Sequence, residues 1–285
     1  MTVPMNAMSL KAKIRNFAKA KNISAQVVLQ HYFFERFLER LSRSEYLDKF
    51  ILKGGLLIAT MAGLQTRSTM DLDATIRSIP LDEDRIKTVI KDICAIFIDD
   101  NLVFQITGTS QIRDDAEYGG IRVSMEAIYE NINAPLTIDI TAGDIITPKP
   151  VKRKFKSLFD DTVQFELLAY NIETILAEKV ETILRRSVSN TRPRDFYNVY
   201  LIVKSQHFNP ATFRKAFSST AAHRGSTEQI KNATEILQAI KENPMLKQHW
   251  EKYRLQYTYA KDITFEDTVK TLDELLGSLN EEDNI

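Results

Sequence analysis

Residues 69–77 read TMDLDATIR, and their hydropathy alternates with a period of two. Met70, Leu72, Ala74 and Ile76 fall on one face of an extended chain. Thr69, Asp71, Asp73, Thr75 and Arg77 fall on the other, which predicts a half-buried strand. Its polar face carries two carboxylates two residues apart, so both project to the same side with Cα atoms roughly 7 Å apart. Aspartate is disfavoured inside strands, and such a pair requires a reason. A solvent-facing edge strand is one. The other is that hard oxygen ligands on a rigid frame suit a divalent cation.

Upstream, Phe50 to Lys53 is a short apolar run halted by Gly54 and Gly55. Leu56 to Gly63 reads as a short buried helix closed by Gly63. A glycine pair between a strand and a helix start is either a plain tight turn or a place where outward N–H groups and the helix dipole receive an anion. The D-x-D begins sixteen residues after Gly55, so the two features together place a phosphate cradle beside a metal site. Downstream, residues 82–98 return to a helical period through Ile86, Val89, Ile90, Ile93 and Phe97. Strands are expected around 102–112 and 120–129, joined by RDDAEYGG as a hairpin connection. Residues 136–141, LTIDIT, alternate again and put Asp139 on a polar face. It becomes a third carboxylate if this strand lies beside 69–77.

The first ~45 residues read as helices, with Ser24 capping one whose apolar positions include Val27, Val28, Leu29, Phe33, Phe37, Leu38 and Leu41. After the basic run at 149–156 the pattern is mostly helical. The fold class is therefore α+β, an N-terminal domain over 1–155 followed by a helical domain over 156–285.

The 285 residues carry 38 Lys+Arg and 38 Asp+Glu, a balance that argues against a generic polyanion binder. Two local basic groups stand out. Lys149, Lys152, Arg153, Lys154 and Lys156 form one, and Arg185, Arg186, Arg192 and Arg194 the other. Each reads as a solvated face, or the first as a path for RNA. Cys94 is the only cysteine, which excludes an intramolecular disulfide and a cysteine-based metal site. The four histidines, His31, His207, His223 and His249, lack zinc spacing. No apolar run approaches the ~20 residues that span a bilayer. The first residues lack the apolar core of a secretory signal, so the cytoplasm is the expected compartment and no membrane partner is expected.

Residues 172–186, IETILAEKVETILRR, form an amphipathic helix with Asn171 as N-cap and Tyr170 with Ile175 as a staple. Its apolar stripe holds Ile172, Ile175, Leu176, Val180, Ile183 and Leu184, and Lys179 falls on it. Such a lysine either snorkels to water or points into a cleft and clamps a phosphate. A second helix begins at Pro193, with Phe196, Val199, Tyr200 and Val203 inward. Asp195 lies in its first turn, where the helix dipole favours a carboxylate. A hairpin of the two helices opens Asp195 and Lys179 toward the same region.

In order, KGGLLIATMAGLQTRSTMDLD (53–73), LTIDI (136–140) and AEKVETILRRSVSNTRPRDFYNVY (177–200) resemble the AbiEii/AbiGii toxins. These are nucleotidyltransferase toxins of type IV toxin–antitoxin and abortive-infection systems, related to the mycobacterial MenT toxins. The resemblance spans roughly residues 24–205. It implies a polymerase-beta-like nucleotidyltransferase domain with a small mixed sheet, Mg2+, and an NTP substrate, GTP or a pyrimidine triphosphate. Asp71 and Asp73 match the metal-binding pair, Lys179 and Asp195 the family's later essential lysine and aspartate, and Gly54 and Gly55 the glycines near the triphosphate. Lys53, Arg67 and Thr69 flank these motifs and complete the implied nucleotide-binding set. Asp139 matches the third metal carboxylate by its place on a strand. The helical domain is implied to contribute Lys179 and Asp195 to the cleft. One departure is the glycine motif, where Gly-Gly-Leu replaces the Gly-Ser of the wider superfamily and removes a hydroxyl. The implied acceptor is RNA, the 3′ end of tRNA, so that translation stops. The implied antitoxin is a separate DNA-binding protein that need not contact the toxin stably. Competing readings are nucleotidyl or phosphoryl transfer to a protein, and a non-catalytic nucleotide- or RNA-binding module.

Overall fold

The computed structural model describes residues 6–112 and 119–280. They fall into two compact units, Met1–Asp144 with Val151–Ala169, and Ile145–Pro150 with Tyr170–Ile285. The boundary expected from sequence at 155/156 would cut through a hairpin that the first unit contains whole.

The first unit contains helices α1 (Ala7–Lys21), α2 (Ala25–Ser42), α3 (Gly54–Ala62) and α4 (Glu83–Cys94). Its strands are β1 (Phe50–Lys53), β2 (Asp71–Ile76), β3 (Val103–Ile112), β4 (Gly120–Tyr129), β5 (Ile132–Ala142), β6 (Val151–Lys156) and β7 (Gln164–Ala169). They form one mixed sheet in the order β3-β4-β5-β2-β1-β7-β6. Local chemistry sets the helix starts. Ser24 accepts from Gln26 N–H and Asp82 from Arg85 N–H, each satisfying a donor that the first turn leaves open.

One face of the sheet is apolar. Leu72, Ala74 and Ile76 of β2, Leu136, Ile138 and Ile140 of β5, and Val123 and Met125 of β4 are buried. Among the helices, α2 contacts β5, β7 and α4, and α4 contacts β3 and β4. They bring Phe33, Phe34, Phe37, Ile86, Val89, Ile90 and Ile93 into the core. Each strand's alternate residues then fall on the polar face, which carries the residues of interest.

Several details differ from the sequence reading. Met70 precedes β2 and is 45% exposed, because its backbone lies outside the pleat that would turn it inward. Thr75, expected on the polar face, is buried and donates to Thr141 O. Helix α4 stops at Cys94, so Phe97 loses its helical register and is 82% exposed. Residues 151–156 and 164–169 form an antiparallel hairpin rather than a linker running into helices. Of the expected hairpin connection over 113–120, residues 113–118 lie outside the described residues and Gly120 opens β4, while β3 and β4 on either side pair antiparallel.

The second unit is helical: α5 (Ile172–Arg186), α6 (Pro193–Ser205), α7 (Pro210–His223), α8 (Ala233–Glu242), α9 (Pro244–Gln256) and α10 (Phe265–Asn280). Asn171 caps α5 by accepting from Thr174 N–H. Helix α6 buries Phe196, Tyr197, Val199 and Ile202, not Tyr200 and Val203. The reason is Tyr197, whose ring packs against Tyr253 and Tyr259 at centroid separations of 6.0 and 4.9 Å.

Candidate active site

Strand β2 presents Asp71 and Asp73, both half-buried, on the polar face of the sheet. Register decides their company. Asp73 is opposite Lys53 on antiparallel β1 and opposite Asp139 on parallel β5, and directly opposed residues share a face. Lys53, Asp73 and Asp139 thus form one row across three strands, with Asp71 beside it.

Helix α3 begins at the end of β1, and its N-terminus abuts Asp73. The Gly55 N–H donates to Asp73 Oδ2 at 3.3 Å, placing a carboxylate at the positive end of a helix. Gly54 has φ +68°, and a Cβ there would lie 2.0 Å from Asp73 Oδ2. Glycine is therefore required at 54 both by backbone conformation and by the aspartate's close approach. A Cβ at Gly55 would meet Arg67 Nη2 and Thr69 Oγ1, each at 2.8 Å. The space that a serine at 55 would need is filled by the Thr69 hydroxyl and the Arg67 guanidinium, which gives the Gly-Gly-Leu departure a steric basis. Arg67 is buried and donates to Ser68 O. Thr69 donates to Asp71 O at 3.4 Å.

Lys53 Nζ donates to Thr141 Oγ1 at 2.7 Å and to Asp144 Oδ2 at 2.5 Å, and Thr141 Oγ1 donates to the same Asp144 oxygen at 2.8 Å. Asp139 is held by Arg122 of β4, which stands opposite it in register. Nε donates to Oδ1 at 2.8 Å and Nη2 to Oδ2 at 2.7 Å, a bidentate fork. The guanidinium pKa is raised, chiefly by this hydrogen-bonded carboxylate and further by the charges of Asp71 and Asp73. Arg122, Thr141 and Asp144 were not singled out by sequence. A polar alternation along β4 hinted at Arg122, but no spacing relates it to Asp139.

Among the described residues no group of three or more His, Cys, Asp or Glu side chains is placed to hold a metal. The β2 pair still fits magnesium, which is ordinarily bound through one or two carboxylates with water and substrate phosphates filling its octahedron.

In the second unit Lys179 Nζ lies 2.9 Å from Asp195 Oδ1, with side-chain exposures of 26% and 7%. The lysine does not simply snorkel; the α5–α6 packing holds it against a buried carboxylate. Nearby, Glu181 is fully buried between Arg185 at 2.9 Å and Arg224 at 2.6 Å, so Arg185 of the second basic group is neutralised structurally. Of the first group, Lys152, Lys154 and Lys156 are exposed on edge strand β6, where lysines also discourage edge-to-edge pairing.

A model of the AbiEii toxin family, nucleotidyl transferases of type IV toxin–antitoxin systems, matches residues 36–276. Among solved structures, the chain resembles JHP933 from Helicobacter pylori with a TM-score of 0.52 and 14% identity, over 90% of this chain and 92% of that one. Another solved structure, of a protein from H. pylori, has a TM-score of 0.48 and 15% identity, over 90% and 96%. The first of these likenesses is one of fold. No curated protein matches the chain significantly by sequence. No helix among the described residues is long and apolar enough to cross a membrane.

Proposed function

The chain belongs to the AbiEii family of nucleotidyltransferase toxins of type IV toxin–antitoxin systems, and on that premise we propose that it moves a nucleotide from an NTP to the 3′ end of a tRNA with the help of magnesium. The observation that carries this reading is the contact between Gly55 N–H and Asp73 Oδ2, a helix end suited to phosphate lying against a carboxylate suited to the metal. In this reading Asp71 and Asp73 hold magnesium. Gly54 and Gly55 admit the triphosphate to the backbone, with Thr69 and Arg67 bordering it. Lys53 holds Thr141 and Asp144 in place beside the row.

The acceptor's 3′ oxygen bonds to the α-phosphorus, the bond to the β-phosphate oxygen breaks, pyrophosphate leaves and the hydroxyl proton passes to solvent. When bound, magnesium supplies positive charge to the phosphate oxygens as that bond breaks. Lys179 and Asp195, essential in the resemblance, form a second set that transfer requires. A tRNA so capped cannot be aminoacylated, so the site of action is the cytoplasm. Neutralisation by the antitoxin needs no stable complex.

The test is incubation with each α-labelled NTP and magnesium in the presence of total RNA and, separately, total protein, with an Asp71→Asn control. The expected result is label in RNA of tRNA size, lost in the control. Label in protein alone would overturn the RNA acceptor. Label in neither, with every NTP, would overturn transfer itself.

A further inference from the structure

We propose that Arg122 reserves Asp139 for itself and so limits the metal site to the two carboxylates of β2. The inference rests on the assignment of Asp71 and Asp73 as metal ligands and concerns what stands beside them.

Position alone makes Asp139 the natural third ligand, since it is the direct cross-strand partner of Asp73. Its oxygens are spoken for. One receives Arg122 Nε at 2.8 Å and the other Nη2 at 2.7 Å. The fork is fixed by register, because Arg122 is opposite Asp139 on β4 just as Asp73 is on β2. A guanidinium does not deprotonate, so the cation of the pair keeps its charge. A divalent ion that bound Asp139 would have to displace a cation matched in planar geometry to both oxygens. The Arg122 side chain is 46% exposed and that of Asp139 17%, so the arginine covers the aspartate. Its charge also acts on Asp71 and Asp73. Arg122 is thus a positioning residue that sets how many protein ligands, and how much charge, the ion meets.

The test is Mn2+ binding to the full chain without nucleotide, followed by the paramagnetic resonance of free Mn2+, with thermal unfolding as a check on folding. Arg122→Gln releases Asp139 to the ion and should tighten Mn2+ by about tenfold, roughly one added charge interaction. The double variant Arg122→Gln/Asp139→Asn should return to wild-type affinity. Arg122→Lys keeps the charge but cannot hold both oxygens, and should tighten Mn2+ by a smaller factor. This variant decides the matter if Arg122→Gln does not fold. The proposal is overturned if neither single variant tightens Mn2+, or if the double variant binds tenfold or more weakly than wild type, which would make Asp139 a ligand already. Asp71→Asn separates the two layers. It should lose Mn2+ in every background, and wild-type binding by Asp71→Asn would remove the β2 metal site itself, whatever Arg122 does.

Discussion

Each unit of the chain carries a cation–aspartate pair on residues of interest, and the two pairs differ in kind. In the sheet, Arg122 grips both oxygens of Asp139 from the next strand. Between α5 and α6, Lys179 meets one oxygen of Asp195 with a single ammonium. A planar fork costs two hydrogen bonds to open and resists exchange. An ammonium on a flexible stem can turn toward a phosphate while its aspartate keeps it aligned. On the proposed assignment, pairing with a carboxylate withdraws Asp139 from the metal in the sheet and poises Lys179 for phosphate in the helical unit. The geometry of the cation separates the cases.

The largest effect is expected beside the first pair. Asp71→Asn should lower transfer at least about 10³-fold, on the order of 4 kcal/mol of lost transition-state stabilisation, with the melting temperature near wild type because Asp71 is half-buried on the polar face. Near-normal transfer by a folded Asp71→Asn protein, read by incorporation of labelled nucleotide, would end the two-carboxylate mechanism.

Next comes the lysine. Lys179→Met should lower transfer about 10²–10³-fold, the loss of one electrostatic contact in the transition state. It should also cost roughly 1–2 kcal/mol of stability, since Asp195 is left buried without its cation, a figure discounted for the lysine's partial exposure. Lys179→Met/Asp195→Asn should recover stability in denaturant titrations but not transfer. Recovery of both would make the pair a structural element like Arg122–Asp139.

A smaller effect is expected at the glycine pair. Gly55→Ser introduces a side chain where Thr69 Oγ1 and Arg67 Nη2 already lie, and NTP affinity measured by calorimetry should fall about tenfold, on the order of one displaced contact. Thr69→Ala added to Gly55→Ser should restore part of it, because Arg67 Nη2 still lies as close. Failure of the restoration would show that Thr69 is not what fills the space.

The smallest effect belongs to the edge strand. Replacing Lys152, Lys154 and Lys156 by Gln should leave NTP binding unchanged and reduce the salt slope of RNA binding by about one per lysine. Equal slopes for variant and wild type would leave these lysines only their role in guarding the edge of β6.

What the sequence by itself determined is whatever repeats within a few residues. The period of two in 69–77 and 136–141 marked β2 and β5, the stripe of 172–186 marked α5 to the residue, and Ser24, Asn171 and Pro193 marked helix starts. These signals are legible because a pleat, a helical face or a cap is an interaction between near neighbours in the chain. The family motifs were legible for the same reason, as ordered short strings. The period failed where local order stopped, at Met70 and Phe97, and composition misled at 151–169, where a basic run proved to be a strand. Only the tertiary structure decided which carboxylates are engaged and by what. Nothing in LTIDI says that Asp139 will face Arg122, or that Lys53 will reach Thr141 and Asp144 some ninety residues on. Those partners are set by strand order and register, and the cation or N–H group seated on each oxygen follows from that pairing.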